Sequence, residues 1–101
     1  MIDILKKINM GKITEEQAYE IYDDVQDKFD SGKIKNYPQN ELYLDNYEWT
    51  AFSFGISFEV LANWRKNGWP SKCAICGKIL NYRQYGWRIQ ENKLVCIKCE
   101  K

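Results

Sequence analysis

Four cysteines stand as two matched pairs in the last third of this 101-residue chain, Cys73-x-x-Cys76 and Cys96-x-x-Cys99, with 19 residues between the pairs. A Cys-x-x-Cys turn brings two sulfurs within a few ångströms of each other, a spacing that one tetrahedral Zn²⁺ accepts. Two such turns supply all four ligands, and a site with no open position is structural rather than catalytic. Gly77 follows the first pair, where a tight metal-binding turn needs backbone with φ > 0. A structural Zn²⁺ held by Cys73, Cys76, Cys96 and Cys99 is the leading reading, with two disulfides or free thiols as the alternatives.

The chain has the length of one domain, or of one small domain with a metal-stapled appendage. Hydrophobic residues make up 45% of it, enough for a core. No apolar run approaches the ~18 residues of a membrane helix. The start Met1-Ile2-Asp3-Ile4-Leu5-Lys6 is charged too soon for a secretory signal. The expected compartment is therefore reducing, with the cytoplasm as default, and this favours metal over disulfide.

Local signals predict an α+β chain: a helical part over residues 1–70 with three to four helices, then a small zinc-ribbon-like module of four cysteines and a hairpin over 71–101, the two packed as one compact unit. Ile2, Leu5, Ile8 and Met10 suggest a short first helix that stops at Gly11. Thr14-Glu15-Glu16-Gln17 reads as a capping box, and Ala18, Ile21, Tyr22, Val25 and Phe29 follow at helical spacing, predicting a helix over 15–30. The stretch Gly32 to Asn40 reads as a loop, since Pro38 disfavours helix at Tyr37. Asp45-Asn46-Tyr47-Glu48 opens a helix ending near Phe54-Gly55. Ser57 caps another, with Val60, Leu61 and Trp64 on its apolar face, which runs to Asn67 and stops at Gly68. Residues 85–89 and 93–95 form a candidate hairpin turned at Glu91-Asn92, which delivers the second cysteine pair.

A cysteine turn, a hairpin and a second cysteine turn resemble the zinc ribbon and its relative, the treble clef. The treble clef seats its second ligand pair at the start of a helix, whereas here only Glu100 and Lys101 follow Cys99, which favours a ribbon-like site. Metal would contribute the folding energy that a segment of ~30 residues cannot gain from a core of its own. Lys72, Lys78, Arg83, Arg88, Lys93 and Lys98 make this segment basic. Zinc ribbons serve both as nucleic-acid readers and as plain staples, and both readings stay open.

Residues 47–66 resemble the helix-turn-helix of DNA-binding proteins. Ala51 occupies the small position of the first helix, Gly55 the turn, and Ile56, Leu61 and Trp64 the buried positions. The groove-facing positions would then be Ser57, Phe58, Glu59, Ala62 and Asn63, of which only Asn63 is a good base reader, while Glu59 repels phosphate. Trp49 and Phe52 would lie exposed. The nucleic-acid alternative rests on Asn63, Arg65 and Lys66 of this unit with Arg83 and Arg88 of the hairpin.

Charge is distributed unevenly. Residues 1–50 carry 11 acidic and 6 basic side chains, and residues 72–101 carry 2 acidic and 7 basic ones. The helix from Glu15 holds Glu15, Glu16, Glu20, Asp23, Asp24, Asp27 and Asp30 against Lys28 alone. Glu16/Glu20, Glu20/Asp24 and Asp23/Asp27 are like-charge i,i+4 pairs, each mildly destabilising. Departures of this kind from local rules tend to mark function, although a solubilising face also produces them. An acidic face suits a basic partner such as a nuclease cleft that awaits phosphate, and electrostatic steering makes such association fast. Glu16, Glu20, Asp23, Asp24, Asp27 and Tyr19 are the expected partner-binding set, with Tyr37, Tyr43 and Tyr47 as further aromatic anchors.

The run from Asn46 to Phe52, then Phe58-Glu59-Val60-Leu61-Ala62-Asn63-Trp64-Arg65, then Gly68-Trp69-Pro70-Ser71-Lys72-Cys73, resembles small bacterial proteins of toxin–immunity loci that carry one C-terminal zinc site. The resemblance implies a protein that blocks a cognate basic toxin by direct binding, with no catalytic residue. Enzymatic chemistry is independently disfavoured: the chain has no histidine, hence no histidine base or triad, and no Gly-rich phosphate loop. No membrane or small-molecule partner is expected.

Overall fold

The computed structural model describes residues 2–99 and has the α+β architecture that the sequence predicts. Helices α1 (Ile4–Asn9), α2 (Glu15–Asp30), α3 (Pro38–Glu41), α4 (Asn46–Ser53) and α5 (Phe58–Asn67) precede an antiparallel hairpin of β1 (Trp87–Gln90) and β2 (Lys93–Cys96). One-turn 3-10 helices at Tyr82–Gln84 and Ile97–Cys99 flank the hairpin. Residues 100 and 101, on which the expected lack of a helix after Cys99 depends, lie outside the described residues. Among the described residues, no helix is long and apolar enough to cross a membrane.

Helix starts follow the capping chemistry. Thr14 Oγ1 accepts from the Gln17 amide at 3.1 Å, and the Gln17 side chain accepts from the Thr14 amide at 2.9 Å, so both halves of the box are closed. Asp45 and Glu48 build a second box at α4, and Ser57 caps α5. Gly68 ends α5 at φ 103, a conformation that L side chains resist. The structure departs from the expected loop over Gly32–Asn40 at its end, where Pro38–Glu41 forms one helical turn. Pro38 is the first residue of that turn, where its fixed φ suits the helix and its missing amide is not needed. The hairpin turn lies at Glu91-Asn92, both with positive φ, and the register pairs Gln90 with Lys93.

Helices and hairpin share one core. Ile4, Leu5, Ala18, Leu42, Ala51, Ile56, Phe58 and Leu61 are buried together with Trp87, Ile89 and Leu94 of the strands. Trp69 connects the two parts, stacking on Tyr82 with centroids 4.3 Å apart and tilting against Trp64 at 5.0 Å and Trp87 at 5.7 Å. Asn92 at the hairpin tip accepts from the Ser57 amide at 2.8 Å, fixing the turn to the start of α5. Helix α2 is more peripheral: of its apolar residues Ala18 is fully buried, whereas Ile21, Tyr22 and Val25 are half-buried against the core.

Arg65 lies where α1, α4 and α5 meet. Its guanidinium donates to both oxygens of Glu48 at 2.6 and 2.7 Å, to the Asp3 carboxylate and to the Tyr43 carbonyl at 2.8 Å. Glu48 is only 2% exposed. Burial pulls the Arg65 pKa down, but the hydrogen bonds and charges of Glu48, then of Asp3, more than reverse this and leave it above its usual value. One planar fork thus holds three helices, a task that the single ammonium of lysine cannot repeat. Arg65→Lys is expected to lower the unfolding free energy by about 2 kcal/mol in denaturant titrations. A loss under about 0.5 kcal/mol, the scale of an ordinary surface substitution, would show that the fork is dispensable.

Candidate metal centre and flanking surfaces

The first cysteine turn is held by backbone on both sides. The Cys73 amide donates to the Lys78 carbonyl at 2.8 Å, and the Gly77 amide to the Cys73 carbonyl at 3.0 Å. Lys72 and Ile79 form a bridge below the turn. Gly77 takes φ 76, as the turn requires. The Ala74 amide donates to the Leu94 carbonyl at 2.9 Å and so ties this knuckle to β2. On the other side, Cys96 is the last residue of β2 and Cys99 closes the 3-10 turn that follows. Val95 and Leu80 pack beneath the sulfurs and form a small second core.

This arrangement gathers all four Sγ atoms within 4.8 Å of one another. Four ligands about 2.3 Å from a tetrahedral ion would be about 3.8 Å apart, and Cys76 and Cys96 stand at 3.7 Å. All four cysteines are free thiols. Cys73 Sγ accepts from the amides of Cys96, Ile75 and Cys76 at 3.3, 3.4 and 3.5 Å. These amides, Cys76 foremost, pull the Cys73 thiol down to about 6 against the opposing effect of burial. Cys96 is also lowered, chiefly by its hydrogen bond with Cys99. Cys99 is pushed up to about 12 by its bonds to Cys96 and Cys76 and by burial. Neighbouring sulfurs therefore cannot all ionise unaided, and a cation among them would remove that conflict. The donor set fits a metal ion with every position filled by protein, which leaves no open site for substrate.

The expected partner-binding carboxylates are where the sequence places them. Glu16, Glu20, Asp23, Asp24 and Asp27 all lie on α2, and Asp23, Asp24 and Asp27 stand on its outer side. At 3.6 residues per turn the five fall within an arc of about 100°. Lys28 Nζ pairs with Asp24 at 2.9 Å. Tyr19 is half-buried and packs on Phe58 at 4.8 Å and Phe52 at 6.5 Å. Tyr47 packs on Tyr82 and Tyr85, whereas Tyr37 and Tyr43 are exposed.

The nucleic-acid candidates are placed less favourably. Helices α4 and α5 form the expected pair, with Ile56 buried at the turn. Phe58 and Ala62, which the helix-turn-helix alignment aims at a groove, are nevertheless 0% and 1% exposed. Helix α1 lies along α5, with Asn9 Nδ2 donating to the Ala62 carbonyl at 3.0 Å, and Tyr19 and Tyr22 of α2 pack on Phe58. Trp49 and Phe52, expected at the surface, are half-buried, Phe52 stacking on Phe58 at 4.4 Å and meeting Tyr22 at 4.9 Å. Arg65 is committed to Glu48 and Asp3. Arg83 Nε donates to the Tyr82 hydroxyl at 3.2 Å, and Arg88 lies over the Phe54 ring at 5.0 Å. Asn63 accepts from Asn67, and Lys66 is exposed.

A surface groove has no counterpart among the sequence motifs. It encloses about 350 Å³ beside α2 and is lined by half-buried Ile2, Ile21, Val25 and Ile34, with Glu20, Asp24, Lys28 and Glu41 completing its lining. Ile34 is an isolated apolar residue in a polar stretch of the sequence. Glu41 belongs to the helical turn that Pro38 starts.

Metal removal should act first on the hairpin. Chelator treatment, or Cys76→Ser at an exposed ligand, is expected to cost about 2 kcal/mol or more, which lowers the melting temperature of a domain this size by about 10 °C. The variant and the chelated wild type should then melt alike; unaltered melting in both would refute the site. No protein-family model matches this chain, and neither the curated proteins nor the solved structures hold a match to it.

Proposed function

We propose that this protein is a zinc-stabilised interaction module that binds a basic protein partner through the acidic face of α2, as an immunity or antitoxin-like inhibitor of a basic toxin or nuclease domain. The observation that carries the reading is the arc of five carboxylates on α2, with Lys28 as the helix's own cation. Carboxylates at this density imitate the charge of a phosphate backbone, so they suit a surface whose lysines and arginines await nucleic acid. Zinc is the metal proposed for the four-cysteine centre, because four thiolates in a closed tetrahedral set match its borderline-soft, geometry-tolerant chemistry. Its part is to hold the hairpin, and binding belongs to the helical side.

Inhibition on this reading is occlusion. Long-range attraction brings the basic surface to α2 and raises the association rate, and short-range ion pairs then exclude the nucleic-acid substrate. The partner to test is the product of the adjacent reading frame, co-expressed with this chain. Reversing Asp23, Asp24 and Asp27 to lysine should leave melting nearly unchanged, because all three lie on the outer side of the helix, away from the core. At low ionic strength it should slow association at least about tenfold, with the effect shrinking as salt rises. Unchanged association kinetics would remove α2 from the interface. Elemental analysis should find one zinc per chain, and another metal would correct that assignment without touching the acidic face.

A further inference from the structure

We propose that the groove beside α2 is a receptor for a single long-stemmed cationic side chain, a lysine or arginine of the protein partner, which anchors the complex that the acidic face attracts. The inference rests on the reading of α2 as the partner-binding face and adds where and how the anchor is held. Half-buried Ile2, Ile21, Val25 and Ile34 offer an apolar lining, and among the described residues the carboxylates Glu20, Asp24 and Glu41 and the cation Lys28 complete it. An apolar stem ending in a positive charge complements that pattern, since lysine and arginine bury their methylenes while keeping the head among acceptors. A purely apolar side chain would take the carboxylates out of water and bring no charge in return, and an anion would be repelled.

The chain itself illustrates the match. Lys28, which lines the groove, pairs through Nζ with Asp24 at 2.9 Å, with side chains 48% and 62% exposed. Such an exposed i,i+4 pair is weak and exchanges easily for a better-buried cation. Glu41 is oriented by the Asn36 amide, which donates to its Oε1 at 2.9 Å. Glu20 and Asp24 are one helical turn apart, as are Ile21 and Val25 in the adjoining row, so stem and head would be matched along the same length of α2. The volume of about 350 Å³ falls at the small end of ligand sites, which suits one side chain better than a folded segment.

The test separates this groove from simple attraction to the acidic face. The full-length, metal-loaded protein is titrated at low salt with hexalysine and with a hexamer of α,γ-diaminobutyrate, which has the same number of ammonium groups on stems two methylenes shorter. Methyl resonances of Ile21, Val25 and Ile34 report on the groove. Hexalysine is expected to shift those methyls and to bind about threefold or more tightly than the short-stemmed peptide, the scale set by partial burial of two methylenes. Ile34→Ser, at a half-buried position outside the helices, should abolish that preference and leave binding of the short-stemmed peptide unchanged. Equal affinities, or a preference that survives Ile34→Ser, would overturn the groove while leaving the acidic face as the binding surface. Binding of neither peptide would overturn the acidic-face reading and the groove with it.

Discussion

A segment of about 30 residues cannot enclose a core of its own, and the way this hairpin escapes that constraint shapes the rest of the molecule. The side chains of Trp87, Ile89 and Leu94 are given to the helical core, where Trp87 donates its indole N–H to the Tyr82 carbonyl at 2.8 Å. The other end of the hairpin has no apolar cover of comparable size. There the sulfurs of Cys73, Cys76, Cys96 and Cys99 converge over Val95 and Leu80. One end is held by burial, and the other gathers four sulfurs that could hold a metal ion. The two ends are joined by strands of only 4 residues each.

The Asp3–Glu48–Arg65 cluster solves a related problem on the helical side. The short helices α1, α4 and α5 have 6, 8 and 10 residues, below the length at which isolated helices persist in water. Caps satisfy their ends, and the guanidinium then binds the cap residue of α1 to the first turn of α4 from its seat on α5. Glu48 serves twice, completing the α4 capping box through Oε1 while both oxygens accept from Arg65. Among the described residues, no buried side-chain nitrogen or oxygen is left without a partner, which is what allows so polar a cluster to sit inside.

What the sequence revealed and what it hid divide along the range of the interactions. Capping boxes at Thr14 and Asp45, the Ser57 cap, the Glu91-Asn92 turn and the cysteine spacing are local patterns, and each appears in the structure near its expected position. The helical period of 47–66 was equally legible, but a helix pair has two faces and the period does not say which one meets solvent. That was decided by α1, whose Asn9 is 53 residues from Ala62 in sequence, and which lies on α5 and buries that alanine. Arg65 read as a nucleic-acid candidate because its partners Asp3 and Glu48 are 62 and 17 residues distant. The one-turn α3 was missed because Pro38 breaks a helix before itself yet starts one at itself.

Helix α2 shows how incomplete packing and excess charge combine. Its like-charge i,i+4 pairs each oppose the helix by roughly 0.2–0.5 kcal/mol, and its apolar row is only half covered. A helix under both handicaps is held by its closed capping box, by Ala18 in the core and by Tyr19 and Tyr22 against Phe52 and Phe58. Those contacts lie on the inner side, so the outer carboxylates contribute nothing to them. A cation arriving at that face would relieve repulsion already present in the free protein, and an apolar stem beside it would cover area that folding left wet. Both gains exist only in a complex, so on the proposed reading they count wholly toward affinity for a basic partner.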